Sequence, residues 1–345
     1  MKILIISPKS KGIGGIASHV SELATLLKER GFYVKIVSAE NTPIVNIKGL
    51  KNSSFAFFSV FHPYLMKEYD IAHAHNLPSI IPLRFARAQA KILTLHGIYS
   101  KQISFLYGRI FGRIAEIVEK KMLTWIDGIT AISKSVKKYY EALGLKVEYI
   151  PNAVNIHKLP KEVTKLYDNQ IVYVGRLSKE KGVDILVKAF IKTKLDAHLL
   201  IVGKGPLEGF LRKYAQKDKR IHYTGYLEHS KALSIIAGSD LLILPSLYEG
   251  LSTVILEAMA LKTPVLASDI SENKELIQHG ETGFLFPKGS VEKLAFMIEY
   301  LLSKKDLLRK VSEKAYQLVL AEYTWDVVIE KYVDFYEKII EAENL

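Results

Sequence analysis

One local grammar is written into the chain twice. Lys2-Ile-Leu-Ile-Ile6 is a short apolar strand, a glycine-rich loop follows, and Ile16, Val20, Leu23, Ala24 and Leu27 then recur at helical spacing. Gly31 stops that helix, and Tyr33-Val-Lys-Ile-Val37 makes the next strand. The second copy begins with the strand Gln170-Ile-Val-Tyr-Val174, continues with a helix carrying Val183, Leu186, Val187 and Phe190 on one face, and ends with the strand His198-Leu-Leu-Ile-Val202. A strand-helix-strand crossover makes its two strands parallel, and parallel sheets need both faces covered. Two such openings, about 170 residues apart, predict two doubly wound α/β domains with a ligand in the cleft between them.

The rest of the chain fits that division. Further strands are expected at 71–74, 91–95, 128–131 and 147–150, then at 221–223, 241–244 and 264–267, with a helix over about 252–261. A linker near 158–168 gives a first domain of residues 1–167 and a second of 168–322. In 323–345, Thr324 can cap a final amphipathic helix with Val327, Val328, Tyr332, Phe335 and Ile339, expected to pack back on the first domain.

Composition removes several kinds of chemistry. The 345 residues are 49% hydrophobic and 24% charged, an ordinary globular balance, and there is no cysteine. Disulfides, thiolate zinc sites and cysteine nucleophiles are excluded together. No apolar run reaches the ~20 residues of a membrane span, and the opening apolar stretch is too short for a signal peptide, so a cytoplasmic location is expected. The net charge of +12 divides unevenly: residues 1–167 hold 24 Lys+Arg against 11 Asp+Glu, +13, while 168–345 hold 24 against 25, −1. This asymmetry points to an anionic partner of the first half or to an ordinary lysine-rich surface. No nucleic-acid recognition motif accompanies it, so a nucleic-acid partner is not expected.

Gly12-Ile-Gly14-Gly15-Ile-Ala17 lies at a strand-to-helix turn, where small residues let backbone amides approach a phosphate. A plain tight turn and a nicotinamide site, with Glu40 as the ribose acid, are the other readings; Ser7-Pro-Lys-Ser-Lys11 intervenes where a dinucleotide fingerprint should begin. In the second half, Gly175-Arg176-Leu-Ser-Lys-Glu-Lys181-Gly182 sets two cations after a strand, suited to gripping a diphosphate. Gly203-Lys-Gly205-Pro206 and Gly225-Tyr-Leu227 follow later strands, the latter where a base could meet backbone groups. Most specific is Leu241 through Ala260: a buried strand, a loop carrying Glu249, and a helix beginning near Ser252 with Glu257 one turn in. Its N-terminus favours an anion, and the two carboxylates can accept from sugar hydroxyls.

With these segments assembled, the chain resembles the family 4 retaining glycosyltransferases (glycosyl transferases group 1) of GT-B fold. The resemblance rests on the Gly14-Gly15 loop, Asp70-Ile-Ala-His73-Ala-His75, Thr94-Leu-His96-Gly97, Gly175-Arg176 through Lys181-Gly182, the pair Glu249 and Glu257, and Gly280-Glu-Thr-Gly283-Phe-Leu-Phe286. It implies two Rossmann-like domains facing each other across a cleft. Arg176 and Lys181 would then bind the donor diphosphate and stabilise the leaving group, Glu257 would hold the ribose, and Glu249 would face the donor sugar. Gly250, Leu251 and Ser252 would offer backbone to sugar and phosphate, Gly14 and Gly15 would approach from the opposite domain, and His96 would contact the transferred sugar. Leu-Ser-Thr follows Glu249-Gly250 where many members have Phe-Gly, a departure that bears on sugar identity.

The activity so implied is retaining transfer from a UDP- or GDP-linked sugar, as co-substrate, to a lipid-linked, polysaccharide or other hydroxyl acceptor. Two cations and a helix dipole can stabilise a nucleoside diphosphate leaving group without a metal, and the chain has no Asp-x-Asp. No cofactor is expected. His73 and His75 lie at a strand end, where at most one is expected to face the cleft; a metal pair there is disfavoured. A nucleotide-sugar epimerase of the same fold and a non-catalytic sugar-nucleotide binding protein are the competing readings.

For the acceptor side, Phe55-Ala-Phe-Phe-Ser-Val-Phe61 is an aromatic cluster. Tyr99 to Trp125 reads as a helical stretch with Ile103, Leu106, Ile110, Ile114 and Ile117 interleaved with Lys101, Arg109, Arg113, Lys120 and Lys121. Such a helix either packs on the core with a solvated basic face or lies on an anionic membrane, here the inner face of the cell membrane. Oligomeric state is not encoded in any motif.

Overall fold

The computed structural model describes residues 1–10, 14–47 and 50–343. The chain forms two units, Met1–Asn152 with Asp326–Leu345, and Ala153–Trp325.

Unit 1 is built on β1 (Lys2–Ser7), β2 (Tyr33–Ser38), β3 (Tyr69–His75), β4 (Ala88–Leu95), β5 (Gly128–Ala131) and β6 (Glu148–Tyr149). These pair in parallel in the order β2-β1-β3-β4-β5-β6. Ile3 to Ile6 of β1 are fully buried, as continuous apolar strands must be when helices cover both faces. The helix Gly15–Glu29 turns Ala17, His19, Val20, Leu23, Ala24 and Leu27 inward, and Gly31, at φ 83, lets the chain leave it for β2. The C-terminal helix Trp325–Glu343 belongs to this unit from Asp326 onward, and Tyr336 Oη lies 2.7 Å from His73 Nδ1.

Unit 2 repeats the design with β7 (Gln170–Val174), β8 (His198–Val202), β9 (Ile221–Gly225), β10 (Leu241–Leu244), β11 (Val265–Ser268) and β12 (Phe284–Phe286). The parallel order is β12-β11-β10-β7-β8-β9. β12 escapes the sequence reading because three residues after a Gly-Glu-Thr-Gly turn carry no periodicity.

The division between units falls at Asn152/Ala153, ahead of the linker expected at 158–168. Residues 153–167 are tied to unit 2 by backbone bonds: Trp325 N–H donates to Val154 O at 3.1 Å and Thr164 N–H to Ser234 O at 2.9 Å. Lys165 adds an ion pair to Asp240. This changes the charge account. Unit 1 holds 23 Lys+Arg against 16 Asp+Glu, +7, and unit 2 holds 25 against 20, +5. The acidic C-terminal helix offsets the basic first half, so the +13 against −1 contrast does not survive folding as a contrast between units.

The single helical stretch expected from Tyr99 to Trp125 is a hairpin of two helices, Tyr99–Tyr107 and Arg109–Leu123. Gly108, at φ 98, donates to Ser104 O and breaks the run. A side chain at Gly112 would meet Ser104 Cβ at 2.5 Å, so glycine there lets the two helices close on each other. Ile110, Ile114 and Ile117 do not pack on the core; they are exposed, as are Phe105, Leu106 and Phe111.

Candidate active site

In unit 2 the chain runs from β7 outward to β8 and β9, then returns to the other side of β7 as β10. That reversal opens a crevice at the carboxyl ends of β7 and β10, the usual ligand position in an open α/β sheet. The loops leaving those strands carry the predicted cation and carboxylate motifs.

Lys181 and Glu249 meet there. Lys181 Nζ is 2.6 Å from Glu249 Oε1, and Ser246 Oγ donates to the same oxygen at 2.8 Å. Glu249 is buried, Lys181 is half-buried, and Arg176 is exposed at the mouth of the loop after β7. Backbone bonds lock the loops together: Leu247 N–H donates to Glu180 O at 2.8 Å, and Leu177 N–H to Lys204 O at 3.0 Å. Tyr173 Oη, beneath them, donates to Arg176 O at 2.8 Å; burial and then the nearby Glu249 and Glu180 push its phenol well above the ordinary range.

Glycine is required at two of these contacts. A Cβ on Gly182, at φ 65, would stand 2.1 Å from Pro245 O, and one on Gly203, at φ 143, would stand 1.9 Å from Gly175 O. The motif glycines therefore bring three strand-end loops to contact distance.

Ser252 caps the helix Thr253–Ala260, its Oγ accepting from Ile255 N–H at 3.4 Å. Gly250 and Leu251 lie in the turn just before it, beside Glu249. Glu257, one turn in and half-buried, pairs with His229 Nε2 at 2.8 Å, a partner with no signal in the sequence. Leu227 is half-buried in the segment after β9, where Gly225 O accepts from Gly203 N–H at 2.9 Å.

Unit 1 has its own reversal, between β1 and β3. Gly12 lies outside the described residues. Gly14, at φ 126, precedes the first turn of the helix begun by Gly15, and Ser18 N–H donates to Gly14 O at 3.1 Å. The ribose-acid reading of Glu40 has a competitor in the structure: its carboxylate accepts from Ser10 N–H at 3.2 Å and from Ser10 Oγ at 3.0 Å.

His96 follows β4, partly buried, with its Nε2 3.0 Å from His75 Nδ1. His73 and His75 do not divide between two sides. Residues two apart on a strand share a face, and their rings lie 4.4 Å apart, both buried. His73 is engaged on both nitrogens, by Tyr336 Oη and by Thr94 Oγ1, each at 2.7 Å. His19 joins the group from the first helix; the sequence reading passed over it, although it falls on the apolar face beside Val20. Burial keeps all four imidazoles neutral, lowering His19 to about 4 and His73 to about 3, and holding His75 and His96 well below the ordinary value.

Known proteins share this architecture. Residues 13–158 match the family model Glycosyltransferase Family 4, and residues 156–318 match Glycosyl transferases group 1. The phosphatidyl-myo-inositol mannosyltransferase of Mycobacterium leprae is 27% identical over 98% of this chain and 97% of its own. Sucrose-phosphate synthase of Thermosynechococcus elongatus superposes with a TM-score of 0.83 at 20% identity over 99% of both chains. HepE of Anabaena, solved with UDP and glucose, does so with a TM-score of 0.75 at 19% identity, over 98% of this chain and 100% of its own. Two adjoining family models, a relative aligned end to end and the shared GT-B fold agree: the chain belongs to the family 4 (group 1) glycosyltransferases and is a glycosyltransferase enzyme.

Proposed function

We propose that this enzyme transfers a hexosyl group, with retention and without a metal ion, from a UDP- or GDP-linked sugar to a hydroxyl acceptor at an anionic membrane surface. The observation that carries the donor half is the Lys181–Glu249 pair beside Arg176 and the Ser252-capped helix, all at the reversal of the unit 2 sheet. In the reaction the bond from the anomeric carbon to the diphosphate oxygen breaks, its electron pair stays on the phosphate, and the acceptor oxygen forms the new bond as its proton passes to the departing phosphate. Arg176, Lys181 and the helix N-terminus meet the growing negative charge, preorganised before the bond breaks. Glu249 holds Lys181 in place and accepts from donor-sugar hydroxyls, and Glu257 accepts from the ribose. The loop glycines keep the backbone at Gly203, Gly250 and Leu251 close to the ligand, with Leu227 beside the base. In unit 1, the Gly14-Gly15 turn and His96 serve the sugar and the acceptor.

The helical hairpin supports the acceptor half. Phe105, Leu106, Ile110, Phe111, Ile114 and Ile117 are each more than half exposed, and large exposed apolar side chains concentrated on one short element are a feature of interaction surfaces. Lys101, Arg109, Arg113, Lys120 and Lys121 stand among them, each worth ~1 kcal/mol near an anionic leaflet. Among the described residues no helix is long and apolar enough to cross a membrane, and in this reading the hairpin lies on the surface. The Mycobacterium leprae relative is named for a lipid acceptor, phosphatidyl-myo-inositol, and a lipid-linked acceptor fits the same surface here.

A thermal-shift screen of UDP- and GDP-sugars identifies the donor, since a bound donor stabilises by mass action. Release of nucleoside diphosphate is then measured with and without candidate acceptors. Acceptor-dependent release supports the proposal. Sugar interconversion without acceptor would indicate an epimerase, and donor binding without turnover a binding protein.

A further inference from the structure

His19, His75 and His96 each bring one ring nitrogen within 4.8 Å of the other two. They arrive from three separate elements, the first helix, the end of β3 and the turn after β4, so no ligand spacing is visible in the sequence.

Two features suit this group to a cation. His19 Nδ1 faces Asn152 Oδ1 at 3.0 Å, which fixes the ring proton on Nδ1, and Nε2 accepts from Tyr332 Oη at 3.0 Å. A ring N–H anchored to an oxygen, with the opposite nitrogen presenting its lone pair, is how metal-binding imidazoles are oriented. His75 Nε2 is the second feature: it is fully buried and has no hydrogen-bond partner. With its proton on Nδ1, donated to His96 Nε2 at 3.0 Å, Nε2 is left as a bare lone pair. The reverse tautomer would strand an N–H donor there, a costlier arrangement. The rings meet edge to face, His19 standing at 89° to His96 and 60° to His75.

We propose that His19, His75 and His96 bind one divalent cation of the imidazole-preferring class, with Zn2+ as its representative and a fourth position open. Three neutral nitrogen donors suit that class, and small ring rotations bring them to the ~2.0–2.1 Å bonds it requires. As the cation enters, Tyr332 Oη gives up its bond to His19 Nε2, and His75 Nδ1–H gives up its bond to His96 Nε2, which frees the lone pair of each ring. Because His96 is also assigned to the transferred sugar, a bound cation withdraws it and inhibits transfer; this consequence, unlike the binding itself, rests on the function proposed above.

The test is a Co2+ titration of the full-length, EDTA-stripped protein, followed by the visible absorption of cobalt held by nitrogen ligands, with Zn2+ as competitor. One cobalt per chain, displaced by one zinc, is expected. His75→Gln and His19→Gln should each weaken binding at least ~10-fold, and Asn152→Ala, which keeps all three donors, should weaken it measurably with an unchanged circular dichroism spectrum. Absence of the band at stoichiometric cobalt overturns the site. So does a band unchanged in all three variants. Zinc inhibition of transfer in wild type but not in His75→Gln completes the picture; zinc that binds stoichiometrically without inhibiting leaves the site standing and removes His96 from the transfer step.

Discussion

Lys181 Nζ lies 2.6 Å from Glu249 Oε1, joining the loop after β7 to the loop after β10 across the reversal of the unit 2 sheet. Neither side chain would hold its position alone: Glu249 is buried and needs a cation, and Lys181 spans the crevice only because Gly182 allows Pro245 O to pass beneath it.

Glu249→Gln should lower acceptor-dependent transfer by at least ~100-fold, because it removes both a sugar contact and the charge that positions Lys181. Lys181→Met should do so to a similar degree, and the double variant should lose much less than the product of the two. A double-mutant cycle in kcat/KM checks this; additive losses would show that the two residues act independently.

The glycine contacts make a prediction about stability. Gly203→Ala places a Cβ 1.9 Å from Gly175 O at a positive φ and should cost at least ~2 kcal/mol in urea unfolding. Gly209→Ala, with open space around it in the helix Glu208–Lys217, should instead stabilise by ~0.5 kcal/mol.

Acid should unfold unit 1 through its histidines. Their folded values lie below 6.5, so below that pH the unfolded chain binds more protons than the folded one. Stability is thus fully present above pH 6.5 and falls as pH drops toward 4, where His19 itself titrates. At pH 5 one fully neutral buried histidine costs about 2 kcal/mol. The urea midpoint followed from pH 8 to 4.5 (roughly the window set by these values) in a chelating buffer should therefore slope upward with pH, and His73→Gln should flatten the slope.

On the helical hairpin, Ile110→Glu and Phe111→Glu should abolish co-sedimentation with phosphatidylglycerol vesicles at low salt. Both positions are exposed, so the fold should change by no more than ~0.5 kcal/mol. Retained binding would place the membrane contact elsewhere. Wild-type binding should weaken as salt rises, since its cationic share is screened.

Much of the donor site was legible in sequence because it is local. Arg176 and Lys181 follow one strand within a few residues, and Ser252 and Glu257 sit on one short helix, so spacing alone fixes which loop or turn each occupies. The pairing of Lys181 with Glu249, and of Glu257 with His229, was not legible, because parallel strand order decides which loops adjoin and no local signal states that order. The break in the helical hairpin was not legible for a smaller reason: the apolar spacing runs through Gly108, and only its backbone shows that the helix stops there.

By itself, then, the sequence determined most of the elements, their α/β alternation and the family, since hydrophobic period and loop glycines act over a few residues at a time. Tertiary structure decided what those elements meet. It moved residues 153–167 to unit 2 and the acidic last helix to unit 1, which evened out the charge. It also gathered His19, His75 and His96, distant in sequence, at the carboxyl end of the unit 1 sheet, because packing across a parallel sheet is set by the burial of whole faces and not by neighbours along the chain.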